Sequence, residues 1–366
     1  MMYYMPTKVI HEKNCIKKNG CLLKALGNKA LIVTGQNSAK NNGSQEDVET
    51  ALTANGQEFA VFDRIRSNPT LESVYEGAEE AKRFGADFVI GIGGGSPMDA
   101  AKAIALLAVQ DISKDAFFGA EIKKALPMAM VPTTAGTGSE VTQYSIITND
   151  RKRTKTSISS PVLFPRLALL DGAYMGGLSK ENTVNTAIDA LSHLMEGYLS
   201  PRAGQATDAL AQRGMKMIAK EFDNLASFTL DSAARDTLLM ASALGGMVIA
   251  NTGTTAVHAM GYGLTYFKDV DHGRANGLLI TSFLKFIYDQ CRERVDEMMQ
   301  AMSFSGLAEF GQAIDRLLGE KEKVTPEELE VYTDIAKDSK NLRNCIAAVT
   351  RDDILNIYLA SFGYRG

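Results

Sequence analysis

The chain is poor in cysteine, poor in histidine and without an excess of either charge. Its 366 residues include four cysteines, Cys15, Cys21, Cys291 and Cys345, and no CxxC spacing links any of them. So few thiols argue against a disulfide framework, and they read as free thiols in a reducing cytoplasm. Basic and acidic residues nearly cancel, 39 against 43, for a formal charge of −4. That balance offers no broad basic field for nucleic acid, and Arg151-Lys152-Arg153 is explained by a solvated turn. No uncharged apolar run is long enough to span a bilayer, so no membrane partner is expected. The opening Met1-Met2-Tyr3-Tyr4-Met5-Pro6-Thr7 lacks the charged region and long apolar run of a signal peptide. No repeat or low-complexity stretch is visible. What remains is the composition of a soluble globular protein, 45% hydrophobic and 22% charged, with length for two domains.

The few histidines are concentrated. Of His11, His193, His258 and His272, the last three lie in the window that begins at Asp189. In Asp189-Ala-Leu-Ser-His193 the two polar residues are four apart, so on a helix they stand one turn above each other on one face. Ile188, Leu191 and Leu194 around them are core residues. A carboxylate and an imidazole facing an apolar interior each cost several kcal/mol unless compensated, and a bound cation is the simplest compensation. The stretch from Gly245 to His258 is helix-like, rich in small residues and ends in a histidine, and His272 follows a short loop-like interval. Any one of these histidines alone is better explained as a satisfied core or surface residue. Three of four in one window, one paired at helical spacing with an aspartate, point instead to one metal site: Asp189, His193, His258 and His272. Three imidazoles and a carboxylate suit Fe(II) or Zn(II) better than Mg(II) or Ca(II).

From Ala30 to about Leu170, short apolar runs alternate with amphipathic helices. Residues 30–35, 58–62, 86–91 and 128–131 read as strands. Helices are expected from Ser44 with a capping-box-like start, from Thr70 to Gly85, and from Met98 to about Val109. This rhythm is that of an open parallel sheet covered by helices. After Asp171 the glycines at 172, 176 and 177 suggest a hinge, Ser179 is a good N-cap, and the remaining apolar patterns have helical period. The expected plan is an α/β domain over 1–176 and an all-α domain over 177–366. The glycine-rich loops fall in the first and the metal-site residues in the second, so chemistry is expected in the cleft between them.

Gly91-Ile92-Gly93-Gly94-Gly95-Ser96-Pro97-Met98-Asp99 sits between a strand and a helix. Glycines let the backbone approach a ligand, and free N–H groups at a helix start attract an anion such as a pyrophosphate. Ser96 at N-cap, Pro97 at N1 and Asp99 at N3 also start a helix well, so a purely structural role for Asp99 stays open. The loop Pro132-Thr133-Thr134-Ala135-Gly136-Thr137-Gly138-Ser139-Glu140 either closes over the adenosine or phosphates or is simply a polar connection.

Taken together, residues 93–102, 132–142, the Asp189-Ala-Leu-Ser-His193-Leu-Met-Glu196-Gly197 segment and the stretch from His258 to His272-Gly273 resemble the iron-containing (group III) alcohol dehydrogenases. The likeness runs from Tyr4 almost to the end of the chain. The nearest branch is the butanol or 1,3-propanediol dehydrogenase type. The resemblance implies a Rossmann-like parallel sheet plus a helical domain, in the two-domain plan of dehydroquinate synthase. It implies metal ligation by the same four residues, dinucleotide phosphates on Gly94, Gly95 and Ser96, the adenosine side lined by Thr133, Thr134 and Thr137, and Asn68, Pro69 and Lys155 bordering the cofactor. Some members carry a histidine four residues after the third metal ligand, where this chain has Tyr262, so proton relay would pass to that tyrosine or to water. NAD-preferring members often end the first strand in an aspartate. Here that position is Gly35, with Asn37, Ser38, Lys40 and Asn42 nearby as donors, and NADP(H) is therefore favoured over NAD(H).

The implied activity is reversible hydride transfer between nicotinamide and a small primary alcohol or diol, with Fe(II) or zinc as Lewis acid. Homo-oligomers are common in the family, and the edge from Tyr3-Tyr4 to Ile10 is a candidate for pairing between subunits. Competing readings are a glycerol dehydrogenase using zinc, a dehydroquinate-synthase-like lyase, and a nucleotide-binding protein without chemistry. The lyase needs basic residues converging on an anionic substrate, whereas Leu, Met, Thr and Tyr dominate around the histidines.

Overall fold

The computed structural model describes residues 3–364. Two compact units emerge, one spanning Met5–Leu178 and the other residues 179–364 with Tyr3 and Tyr4.

The first unit is built on a six-stranded parallel sheet. Its strands are β1 (Lys8–His11), β2 (Lys29–Thr34), β3 (Glu58–Phe62), β4 (Phe88–Gly93), β5 (Met128–Pro132) and β8 (Leu167–Leu170), in the order β1-β8-β5-β4-β2-β3. Ala30 to Thr34, all of β4 and all of β5 are buried. Strands covered on both faces need continuous apolar runs, which is why they could be read from composition. β6 (Tyr144–Asn149) and β7 (Thr154–Ser159) form a separate antiparallel hairpin around the 150–153 turn. The helices are α1 (Cys15–Asn19), α2 (Ser38–Asn41), α3 (Ser44–Asn55), α4 (Leu71–Phe84) and α5 (Gly95–Leu107).

Two helix starts differ from expectation. Ser44 is not the cap of α3 but its first residue: Gly43 occupies the N-cap in left-handed conformation, and the Asn42 side chain accepts from the Ser44 N–H at 2.9 Å. Likewise α5 begins at Gly95 with Gly94 as N-cap, so Ser96, Pro97 and Asp99 lie inside the helix. The helix can start this early because Gly93, at φ 145°, makes the sharp exit from β4 that other residues rarely adopt. α4 follows its sequence signals, capped by Thr70 and closed by left-handed Gly85.

The second unit is entirely helical among the described residues. It contains α6 (Lys180–Tyr198), α7 (Gln205–Lys220), α8 (Phe222–Ser227), α9 (Ser232–Thr252), α10 (Ala256–Lys268), α11 (His272–Ile287), α12 (Arg292–Met302), α13 (Leu307–Leu318), α14 (Pro326–Ala336) and α15 (Arg351–Ser361). α6 starts where Ser179 accepts from the Asn182 N–H. α9 is long and apolar enough to cross a membrane by length and composition, although it carries Arg235 and Asp236. Most of it is buried in this unit, however, as befits a core helix packed on α6 and α7.

The Gly245–His258 stretch is not one helix. α9 stops at Thr252, Gly253 turns the chain at φ 71°, and α10 restarts at Ala256. His258 therefore stands in the first turn of a helix rather than at the end of one.

Candidate metal centre and dinucleotide loops

Three helices deliver the four expected metal-site residues to one place. Asp189 and His193 come from consecutive turns of α6, His258 from the first turn of α10, and His272 from the first residue of α11. Asp189 Oδ1 is the common neighbour, 3.9 Å from His193 Nε2, 3.8 Å from His258 Nε2 and 4.0 Å from His272 Nε2. Asp189, His258 and His272 present donor atoms all within 4.8 Å of one another, a group that does not include His193. The His193 ring stacks on His258 at 4.6 Å. Separations near 4 Å are too long for direct hydrogen bonds. They are a little longer than the roughly 2.8–3.6 Å that donors bonded at about 2.0–2.2 Å to one tetrahedral or octahedral ion keep from each other, so a bound ion would draw the set slightly inward. Borderline imidazole donors plus one hard oxygen, with His272 partly exposed and the others buried, make a set that fits Fe(II) or Zn(II).

The residues around these donors hold them in place. Glu196, one turn beyond His193 on α6, is 1% exposed and contacts His258 Nδ1 through Oε2. Its other oxygen accepts from the backbone N–H groups of Thr255, Val257 and His258 and from the Thr255 hydroxyl. Burial favours the neutral form of both partners, but their mutual charge and hydrogen bond outweigh it. The His258 imidazole is lifted above its ordinary value, and the Glu196 carboxyl falls below its own. Asn276 on α11 is fully buried and donates through Nδ2 to Asp189 Oδ1 at 3.1 Å, with His258 Nε2 and His272 Nε2 at 3.3 and 3.4 Å. Tyr262 stacks on the His272 ring with centroids 5.3 Å apart and planes 11° from parallel.

In the α/β unit the two loops expected to hold a dinucleotide interlock. They leave the C-terminal ends of the adjacent parallel strands β4 and β5. Gly94 lies so close to Thr134, and Gly95 to Thr137, that a Cβ would meet the threonine side chains at 3.1 and 2.6 Å. Thr133 donates its N–H to the Gly93 carbonyl at 2.9 Å. No side chain caps α5, whose start is thus open to an anion in the way the glycine run suggests. Asn68, in left-handed conformation, donates its N–H to Ser96 Oγ, and Pro69 accepts from the Thr148 N–H on β6. Lys155 on β7 lies near enough to stabilise the charged form of Asp99. The sheet order makes β2 a neighbour of both β3 and β4, with the chain running to opposite sides of β2, and ligands bind at such switch points. Gly35 and Ser38 follow β2 at this end. Asn42 is committed elsewhere: its amide donates to the Tyr174 carbonyl while its oxygen caps α3.

A family model described as "Iron-containing alcohol dehydrogenase" matches residues 6–172, and "Fe-containing alcohol dehydrogenase family, C-terminal" matches 183–362. A sulfoacetaldehyde reductase from Bilophila wadsworthia is 32% identical over 99% of each chain. The chain belongs to the iron-containing alcohol dehydrogenase family. An NADPH-dependent butanol dehydrogenase from Clostridium saccharobutylicum is 29% identical over 84% of this chain and 79% of its own. The crystal structure of an iron-containing alcohol dehydrogenase from Thermotoga maritima superposes with a TM-score of 0.92, at 39% identity over 99% of both chains. As a member of this family the protein is an oxidoreductase with a Rossmann-like sheet and a helical C-terminal part, and its relatives are named for work on alcohols and aldehydes.

Within this iron-containing alcohol dehydrogenase, three buried polar residues had no role in the sequence reading. Glu196 was visible at i+3 from His193 and i+7 from Asp189, on the same helical face. Asn276 offered the same clue, four residues after His272. Lys102 offered only its improbable place in an apolar helix. Its Nζ is fully buried and donates to Ser139 Oγ, Thr142 Oγ1 and the Tyr144 carbonyl, tying α5 to the loop after β5. Asp99 completes that tie, accepting from Ser139 Oγ and the Ile146 N–H. The Asp99 carboxylate is therefore engaged in holding the loops together.

Proposed function

We propose that this protein reversibly interconverts a small primary alcohol or diol and its aldehyde with NADP(H), using Fe(II) or Zn(II) held by Asp189, His193, His258 and His272. The observation that carries the reading is the convergence of three Nε2 atoms on one carboxylate oxygen at 3.8–4.0 Å, with Asp189, His193 and His258 buried and His272 partly exposed. When bound, the divalent ion supplies Lewis acidity towards the alcohol or carbonyl oxygen. The chain's own residues do the rest. Glu196 and Asn276 fix the orientation of the donors. Tyr262, flat against His272, is the polar side chain best placed to pass a proton, standing where some relatives carry histidine. The loops at Gly94, Gly95 and Ser96 offer N–H groups to the dinucleotide phosphates, with Thr133, Thr134 and Thr137 against them, and Asn68, Pro69 and Lys155 at the border. Gly35 presents no carboxylate to repel a 2′-phosphate, and the butanol dehydrogenase relative is named for NADPH. We also propose a homo-oligomer, since β1 leaves one edge of the sheet open to pairing. A cytoplasmic setting suits four free thiols.

The test is anaerobic oxidation of NADPH, with NADH in parallel, by metal-stripped protein given Fe(II), Zn(II) or neither. Butanal and sulfoacetaldehyde serve as substrates, taken from the names of the two relatives. Metal-dependent turnover preferring NADPH is the expected result. Turnover preferring NADH would overturn the cofactor assignment alone, and absence of turnover with either metal would overturn the metal reading.

A further inference from the structure

Glu196 makes more hydrogen bonds than a helix cap requires, and its two oxygens have different tasks. Oε1 gathers four donors: the N–H groups of Thr255, Val257 and His258 at 2.9, 2.9 and 3.3 Å, and the Thr255 hydroxyl at 2.6 Å. Three are backbone donors at the start of α10, which no intrahelical carbonyl can satisfy. The N-cap Thr255 does not use its own side chain to cap that start. A buried carboxylate reaching across from α6 takes its place, favoured by the positive end of the helix. Capping accounts for Oε1 but not for Oε2, which is turned onto His258 Nδ1.

A carboxylate that is ionised can only accept, so the proton of a neutral His258 must sit on Nδ1. Nε2 then carries its lone pair towards Asp189 Oδ1, 3.8 Å away. We propose that Glu196 is a positioning residue for metal binding: anchored by the start of α10, it fixes the tautomer and ring orientation of neutral His258 so that Nε2 is the nitrogen free of a proton and aimed to ligate. This rests on the reading of the cluster as a metal site. It extends that reading by one residue that touches neither metal nor substrate. The arrangement follows the general rule that a ligating histidine is aimed by a partner on its other nitrogen. Here the partner is itself over-determined, held by four bonds to the helix that carries the histidine.

The decisive variant is Glu196→Gln, which keeps shape and removes charge. With donors crowding the Oε1 position, the amide oxygen must stay there, which leaves the amide NH2 against Nδ1. That nitrogen must then accept, and the proton moves to Nε2, where it blocks ligation. The probe is Co(II) titrated into metal-stripped protein, followed by its visible absorption. The second readout is nitrogen-15 NMR of protein labelled only at its four histidines, recorded metal-free at mildly alkaline pH. Wild type should show His258 protonated on Nδ1. The variant should show it on Nε2, with Co(II) affinity lowered roughly 10–100-fold and a folded circular dichroism spectrum. A purely structural role would lower thermal stability and leave tautomer and affinity unchanged, and that result overturns the proposal. So does an Nε2-protonated His258 in wild type, a measurement that needs no variant. Failure of wild type to bind Co(II) would instead overturn the metal reading, while the NMR would still report the tautomer.

Discussion

At the scale of single residues, cofactor choice turns on Gly35. A Cβ there would meet only the Ile65 carbonyl at 3.3 Å, and the backbone is not left-handed, so a larger side chain fits with a small adjustment. Lys40, the nearest candidate partner for a 2′-phosphate, is already engaged with Asp63 at 2.6 Å. Both side chains are more than a third exposed, so that pair is weak and can yield to a phosphate. Gly35→Asp restores a carboxylate where the ribose is expected. It should weaken NADPH binding about tenfold or more, since a like-charge contact near a surface costs on the order of 1–2 kcal/mol, and should spare NADH. Dissociation constants for both cofactors, measured by fluorescence on wild type and variant, decide it. An equal change for both would mean that the ribose end is not read at this position.

At the scale of elements, glycine controls how closely the metal-site helices approach. A Cβ at Gly273 would lie 1.9 Å from the Asn185 carbonyl oxygen and 2.8 Å from Asp189 Cβ, and one at Gly277 would lie 2.7 Å from Ile188 Cγ2. These two positions form one stripe of α11 set against α6, and their bareness lets His272 come within 4.0 Å of Asp189. Gly261 plays the same part on α10, facing Asn276 Oδ1. The Gly273 contact is with backbone, so no rotamer change relieves it. Gly273→Ala should cost on the order of 3 kcal/mol or more, at the high end of overpacking, and should release bound metal. Thermal melts with and without Zn(II) would show a lowered midpoint and a lost metal-dependent increment. A retained increment would mean that α11 can shift without disturbing His272. The sequence made part of this legible. The Asp189/His193 spacing follows from helical geometry alone, whereas the restart of α10 at Ala256 depends on Glu196 supplying an acceptor 59 residues away. No local pattern announces such a partner, so the 245–258 stretch reads as one helix.

At the scale of the whole molecule, legibility again follows burial. β2, β4 and β5 were visible as apolar runs because both faces are covered. β7 is half-exposed and β8 is only four residues long, so neither periodicity nor length marks them, while half-exposed β1 was legible only as the edge expected from Tyr3-Tyr4 to Ile10. Least visible was the charge inside the α/β unit, where Asp99, Lys102 and Glu140 are all buried beside the loops that follow β4 and β5. Burial pushes the Glu140 carboxyl up from its ordinary 4.5 to about 7, against the pull of Lys102. Burial likewise lowers the Lys102 ammonium from 10.5 to about 8, against Asp99 and Glu140. Between pH 4.5 and 7 the folded chain holds a proton on Glu140 that the unfolded chain releases. That contribution to stability is complete below 4.5 and is lost as pH rises through about 7. Lys102 behaves in the opposite sense: its contribution is complete above 10.5 and is lost as pH falls through about 8. The two losses overlap near neutrality, where both groups are charged in the interior. Glu140→Gln removes the first and, by taking one carboxylate away from the Lys102 ammonium, leaves the second in place and somewhat enlarged above about pH 7. Its stability relative to wild type should therefore rise with pH across the window from 4.5 to about 7, by roughly 1.4 kcal/mol per unit, and then level off. Urea unfolding of both proteins at a series of pH values measures that difference directly. A flat difference would mean that Glu140 is ionised throughout, with Lys102 compensating its charge in full.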